Sequence, residues 1–83
     1  RMDEIVTFTV EDFIYSTEYS DGMYMYLVVS SRITGRICNM GFKYEEDFTF
    51  QSSGLRSNGE RVFSYKFKKA EDAMLVRLQG IEN

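Results

Sequence analysis

Apolar and polar positions alternate along much of this chain with a repeat of two residues. Between residues 4 and 10, Val6 and Phe8 occupy alternate positions, and Thr7 and Thr9 lie between and after them. Successive side chains of a strand point to opposite faces of a sheet. This segment is therefore predicted to be a half-buried strand.

The same alternation recurs further along the chain and is clearest in residues 61–69. There an aromatic series alternates with Ser and Lys, which predicts a strand with one face in the core and one in water. The aromatic residues are assigned to the core, because a small domain needs their large buried area. Weaker alternation predicts further strands at 13–19, 36–44 and 48–51.

Residues 23–29 are apolar or aromatic at every position. A preceding Asp-Gly turn signal, two Tyr and paired Val favour a strand that continues to about Ile33, although a helix is the alternative. As a strand, its more aliphatic face would lie in the core and its Tyr face would point outward. The core face comprises Met23, Met25, Leu27 and Val29, and the outward face carries Tyr24 and Tyr26.

Short turn signals separate these segments. Thr34-Gly35 predicts a hairpin between two strands, and Asn58-Gly59 is a strong two-residue hairpin signal. The acidic residues 45–47 are expected to form a solvated corner.

Residues 70–79 fit a short C-terminal helix, with a terminal strand as the alternative. Acidic residues begin the segment, Arg77 lies near its end, and Gly80 stands where a C-terminal cap belongs. The whole pattern predicts a single domain over residues 1–83 that is mainly β. The expected fold is a small antiparallel β-barrel or β-sandwich of five to seven strands, with or without this helix.

Composition narrows the classes of protein to which the chain can belong. No apolar run approaches the ~20 residues of a membrane helix, so no membrane partner is expected. The single cysteine, Cys38, excludes an intrachain disulfide and is expected to be a small buried hydrophobe. One cysteine mildly favours a reducing compartment, so the predicted location is intracellular, in the cytoplasm or the nucleus.

The sequence has no histidine, which removes the commonest general base and a main metal ligand. The acidic residues stand next to one another and do not face each other across a site. There is no Gly-rich phosphate loop. We therefore expect a protein without enzymatic activity, metal site or cofactor.

Residues 61–67 place aromatic and basic side chains at alternate positions. This segment slightly resembles the aromatic strand motif of RNA-recognition and cold-shock domains, although Val62 and Ser64 stand where the motif has small residues and Gly. The resemblance implies stacking of nucleic-acid bases on the aromatic side chains. It covers seven residues and does not identify a family.

The preferred functional hypothesis is a protein–protein interaction or self-assembly module that uses Tyr-rich strand surfaces. Its predicted binding residues are Tyr15, Tyr19, Tyr24 and Tyr26, and its partner is another protein or a second copy of the chain. The first alternative is a small barrel that binds single-stranded nucleic acid through its basic residues, Arg32, Arg36, Lys43, Arg61, Lys66 and Lys68. A third hypothesis, a small acidic inhibitor, depends on the net charge of −3 and the acidic first thirty residues.

Overall fold

The computed structural model describes residues 4–9 and 22–80, with side chains in the first helix described from Leu27 onward. This part of the chain contains three strands and two helices. The strands are β1 (Ile5–Thr9), β2 (Phe48–Leu55) and β3 (Arg61–Phe67), and the helices are α1 (Gly22–Asn39) and α2 (Ala70–Gln79).

The three strands form an antiparallel sheet in the order β1-β3-β2. It is an open sheet covered by helices, so the predicted closed barrel or sandwich of five to seven strands is wrong. The predictions of strands at the positions of β1 and β3 are confirmed, and so is a hairpin at Asn58-Gly59, although its loop is longer than two residues because the Arg56 N–H donates to the Glu60 carbonyl. The strand predicted at 48–51 is longer and includes a bulge between Phe50 and Ser52.

One face of the sheet is the core face. Its fully or almost fully buried side chains alternate along the strands, as period-two patterning requires: Val6, Phe8, Phe48, Phe63, Tyr65 and Phe67. The opposite face is polar, and Thr7 lies directly across from Ser64 with their hydroxyl oxygens 3.0 Å apart. A sheet with one polar, solvent-exposed face and one apolar face must be packed against other elements on the apolar face alone. Buried residues of both helices pack on that face.

Helix α1 replaces the strand predicted from residue 23 to about Ile33. Its buried side chains, Val29, Ile33 and Ile37, are spaced four residues apart, which places them on one face of a helix. Leu27, which the strand hypothesis put in the core, is 62% exposed. Of the described side chains of this stretch, Val29 is buried on the helical stripe and Leu27 is exposed, so the two strand faces predicted for it do not form.

The hairpin predicted at Thr34-Gly35 is also wrong, because both residues lie inside α1. The helix ends at Asn39, where the Gly41 N–H donates to the Cys38 carbonyl at 2.9 Å and Gly41 has a φ of 107°. The strand predicted at 36–44 therefore does not form. Cys38 is exposed on this helix, contrary to the buried position expected for it.

Helix α2 confirms the short helix predicted at residues 70–79, and the alternative terminal strand does not form. Ala73 and Val76 are fully buried against the sheet, and the Gly80 N–H donates to the Val76 carbonyl at 2.9 Å. The helix packs on β1 and β3, and the Arg77 Nη2 atom donates to the Ile5 carbonyl at 2.6 Å. No helix in the described part of the chain is both long and apolar enough to cross a membrane.

Candidate functional site

The outward face of α2 carries an exposed group of large apolar side chains. Met74, Leu75 and Leu78 are 37%, 46% and 75% exposed, while Ala73 and Val76 on the opposite face are fully buried. Residues three and four apart are neighbours on a helix surface, so these side chains form one continuous surface. We call Met74, Leu75 and Leu78 the α2 apolar face.

A groove lies between the second half of α1 and the end of α2. It has a volume of about 580 Å³, within the range of roughly 300–1,000 Å³ that is usual for ligand sites. We call it the arginine groove, and its lining residues are Arg32, Gly35, Arg36, Asn39, Met40, Gln79 and Gly80. Leu75 precedes Gln79 by one helical turn, so the α2 apolar face borders the groove.

The most elaborate polar contact in the described core belongs to Tyr65 at the centre of the sheet. Its hydroxyl donates to the Ser30 carbonyl of α1 at 2.8 Å and lies 3.0 Å from the Thr34 Oγ1 atom. Burial raises the pKa of the Tyr65 hydroxyl to about 12, although the hydrogen bond with Thr34 opposes part of this shift. A fully buried, neutral phenol with satisfied hydrogen bonds connects α1 to β3 and is not placed to act on a substrate.

The acidic residues 45–47 have a structural role in the turn that precedes β2. The Asp47 carboxylate accepts from the Lys43 backbone N–H at 2.7 Å, and the Asp47 N–H donates to the Lys43 carbonyl at 2.8 Å. Within the described residues, no three Cys, Asp or Glu side chains come together in a way that could hold a metal ion.

The Tyr residues predicted to bind a partner lie outside what the structure describes. Tyr15 and Tyr19 fall in the undescribed stretch, and the side chains of Tyr24 and Tyr26 are not described. The strand face to which Tyr24 and Tyr26 were assigned does not exist, because their backbone is helical.

Four of the six basic residues predicted to bind nucleic acid line two different depressions of the surface. Arg32 and Arg36 line the arginine groove on the helical side. Lys66 and Lys68 line a separate depression of about 400 Å³ beside Glu4 and Thr49. The two remaining residues of the predicted set, Lys43 and Arg61, line neither of them.

The aromatic side chains that resembled a base-stacking platform are inside the protein. Phe63, Tyr65 and Phe67 are fully buried, and Phe67 stacks on Phe48 with ring centroids 5.3 Å apart. This confirms their assignment to the core. It also removes the aromatic surface on which single-strand binding by this strand depended.

Sequence reasoning missed both surface features. The signal for the α2 apolar face was present, because a helix over residues 70–79 has more large apolar residues than one buried stripe can hold. The arginine groove had no such signal, since it depends on α1 being a helix and on its position relative to α2. Comparison of the chain with protein-family models, curated proteins and solved structures found no match.

Proposed function

We propose that this chain is a non-catalytic self-assembly module in which the α2 apolar faces of two copies pack against each other. The observation that carries the proposal is the exposure of Met74, Leu75 and Leu78 on a helix whose other face is already buried. Clustered exposed apolar side chains on a small domain mark surfaces that bind other surfaces. Between about a third and three quarters of each of these residues stays uncovered in the described part of the chain.

Charge complementarity favours a second copy as the occupant. Helix α2 has Glu71 and Asp72 in its first turn and Arg77 in its last. In an antiparallel, two-fold pairing, Met74 of one copy meets Leu75 of the other, and the acidic first turn of each helix lies beside the last turn of its partner, where Arg77 also donates to Ile5 of its own chain. A two-fold interface uses the same patch on both copies, and the antiparallel arrangement also opposes the two helix dipoles favourably.

The size of the face sets the expected affinity. Three side chains on a 10-residue helix bury less than the ~800 Å² per partner of a standard interface. We therefore expect a reversible dimer with a Kd in the range of roughly micromolar to millimolar.

The test is sedimentation equilibrium over a wide range of protein concentrations. The wild-type chain should pass from monomer to dimer, and Leu75→Gln with Leu78→Gln should raise the Kd at least ~30-fold, because one interface hot spot contributes about 2 kcal/mol. The melting temperature at low concentration should change little, since both side chains are exposed.

Leu55→Gln is the matched control. Leu55 is 64% exposed at the end of β2, so its replacement removes the exposed apolar area of one leucine from another surface and should leave the Kd unchanged. A wild-type chain that stays monomeric at every concentration would contradict the proposal and indicate another occupant for the α2 apolar face. An equal effect of Leu55→Gln would show association through unspecific apolar contact.

A further inference from the structure

The arginine groove combines a ligand-sized volume with a strongly cationic lining. Arg32 is exposed and Arg36 is half-buried, and their spacing of one helical turn places their Cβ atoms about 6 Å apart. The other polar lining side chains are the carboxamides of Asn39 and Gln79, and no described acidic residue lines the groove. A chain with a net charge of −3 thus has a local site where positive charge collects.

Arg36 already takes part in an interaction within the chain. A guanidinium has five N–H donors in a planar fork. The ends of α1 and α2 also place negative helix-dipole charge near the groove, but this effect falls off within the last turn. Arg32 precedes the end of α1 at Asn39 by almost two turns.

Gly35 lies between the two arginines and forms part of the groove wall. A Cβ atom at this position would meet no other atom within 4 Å, so packing inside the described structure does not require glycine there. Glycine in the middle of a helix weakens it relative to alanine. Its presence leaves the helix backbone bare between two guanidiniums, where a ligand can approach closely.

We propose that the arginine groove binds a phosphate group, either free or esterified to a small polar molecule. A phosphate carries close to two negative charges at pH 7 and three strong acceptor oxygens, which match two guanidinium charges and many convergent N–H donors. A carboxylate has one charge and two oxygens, and a single arginine satisfies it. The carboxamides of Asn39 and Gln79 would hydrogen-bond the remainder of an esterified ligand.

The experiment is titration calorimetry with inorganic phosphate, glucose 6-phosphate and glucose. Binding of either phosphate compound, but not of glucose, is the expected result. Tighter binding of glucose 6-phosphate identifies the ester as the better ligand, tighter binding of inorganic phosphate identifies free phosphate, and equal binding shows that the phosphate group alone is recognised. Absence of binding by both phosphate compounds would overturn the proposal.

Variants locate the site. Arg32→Gln and Arg36→Gln should each weaken binding at least tenfold, whereas Lys43→Gln, which removes one charge outside the groove, should change it less than twofold. Gly35→Leu should weaken binding at least tenfold by filling the groove, while its melting temperature should not fall, because space is open there. Equal losses for Arg32→Gln and Lys43→Gln would show unspecific charge attraction and overturn the site.

The pH dependence gives an independent readout. A phosphate monoester gains a proton below about pH 6, so the affinity for glucose 6-phosphate should fall as the pH decreases through that value. Sulfate stays a dianion over the same range, and its affinity should remain constant. A parallel fall for sulfate would assign the loss to the protein and contradict a phosphate-centred site.

Discussion

At the scale of single residues, Tyr65 does the most to join the helical layer to the sheet. Its ring packs against Phe8, Phe48 and Phe50, and its hydroxyl reaches the backbone of α1. The hydroxyl groups of Tyr65 and Thr34 both donate to the Ser30 carbonyl, and their oxygen atoms lie 3.0 Å from each other. These bonds define how α1 sits over the central strand.

Removal of the Tyr65 hydroxyl tests whether its hydrogen bonds to α1 stabilise the fold. Tyr65→Phe keeps the ring and removes the hydrogen bonds, and we expect the free energy of unfolding at pH 7 to fall by about 1 kcal/mol. Chemical denaturation measures the change. Tyr44→Phe, at a half-exposed ring, is the control and should cost less.

The raised pKa of Tyr65 predicts a loss of stability at high pH. The phenol keeps its proton in the folded protein up to about pH 12, whereas in the unfolded chain it loses the proton near pH 10. The contribution of Tyr65 is therefore constant below pH 10 and falls between pH 10 and 12, at about 1.4 kcal/mol per pH unit.

The free energy of unfolding of Tyr65→Phe should accordingly decline less steeply over this range than that of the wild type. Phenolate absorbance measured against pH should show one tyrosine of the wild type that loses its proton only near pH 12 and is missing from Tyr65→Phe. Superimposable pH profiles for the two proteins would contradict a buried neutral phenol.

At the scale of elements, two glycines of the α1 region should respond oppositely to alanine. Gly41 follows the helix with a φ of 107°, a conformation in which a Cβ atom costs about 1–2 kcal/mol. Gly35 has helical geometry and open space, so alanine there should stabilise by about 0.5–1 kcal/mol. Thermal unfolding of Gly41→Ala and Gly35→Ala should give shifts of opposite sign, and two shifts of the same sign would refute this assignment.

The same region shows how far the sequence could predict the fold. β1 and β3 were predictable because each has one clear period and clear ends, and α2 because the signals at its two ends favoured a helix although residues 74–78 also alternate. α1 was not, because the stretch from residue 23 is apolar at every position and both periods fit it, while Val, Ile and Tyr favour strands. The deciding pattern lies further along, at Val29, Ile33 and Ile37, and Thr34-Gly35 conceals it by imitating a turn.

The candidate sites likewise divide into those that a local sequence pattern predicts and those that depend on tertiary packing. Assignment of the aromatic side chains of β3 to the core followed from period two and from the need of a small domain for buried area. The α2 apolar face required a choice between helix and strand for residues 70–79. The arginine groove required the packing of two helices that are far apart in the chain, which no local pattern contains.

At the scale of the whole molecule, the described chain is a two-layer arrangement in which the sheet supplies one continuous apolar surface. Residues from β1, β2, β3, α1 and α2 all enter one buried cluster. Both proposed surfaces lie on the helical layer, whereas Thr7, Ser64 and Lys66 are on the polar face of the sheet. Self-assembly and ligand binding would therefore leave the sheet face in contact with solvent.

The order of the strands has a consequence for how the protein folds. β2 and β3 are neighbours in the chain and pair across a short loop closed by an Arg56–Glu60 ion pair of 2.9 Å. β1 pairs with the other side of β3, and its partner residues Thr7 and Ser64 are 57 positions apart in the chain. Closing the larger loop costs more chain entropy, so the β2–β3 hairpin can form early and supply the template on which β1 docks.

During synthesis β1 leaves the ribosome before β3 and cannot take its place in this sheet until β3 has followed. In pulsed hydrogen exchange during refolding, we expect amides of the β2–β3 pairing to gain protection before those of β1. Simultaneous protection of all three strands would argue against a hairpin template. Until β3 is complete, the apolar side chains of β1, Val6 and Phe8, have no sheet to join, and this interval is when the nascent chain is most exposed to aggregation.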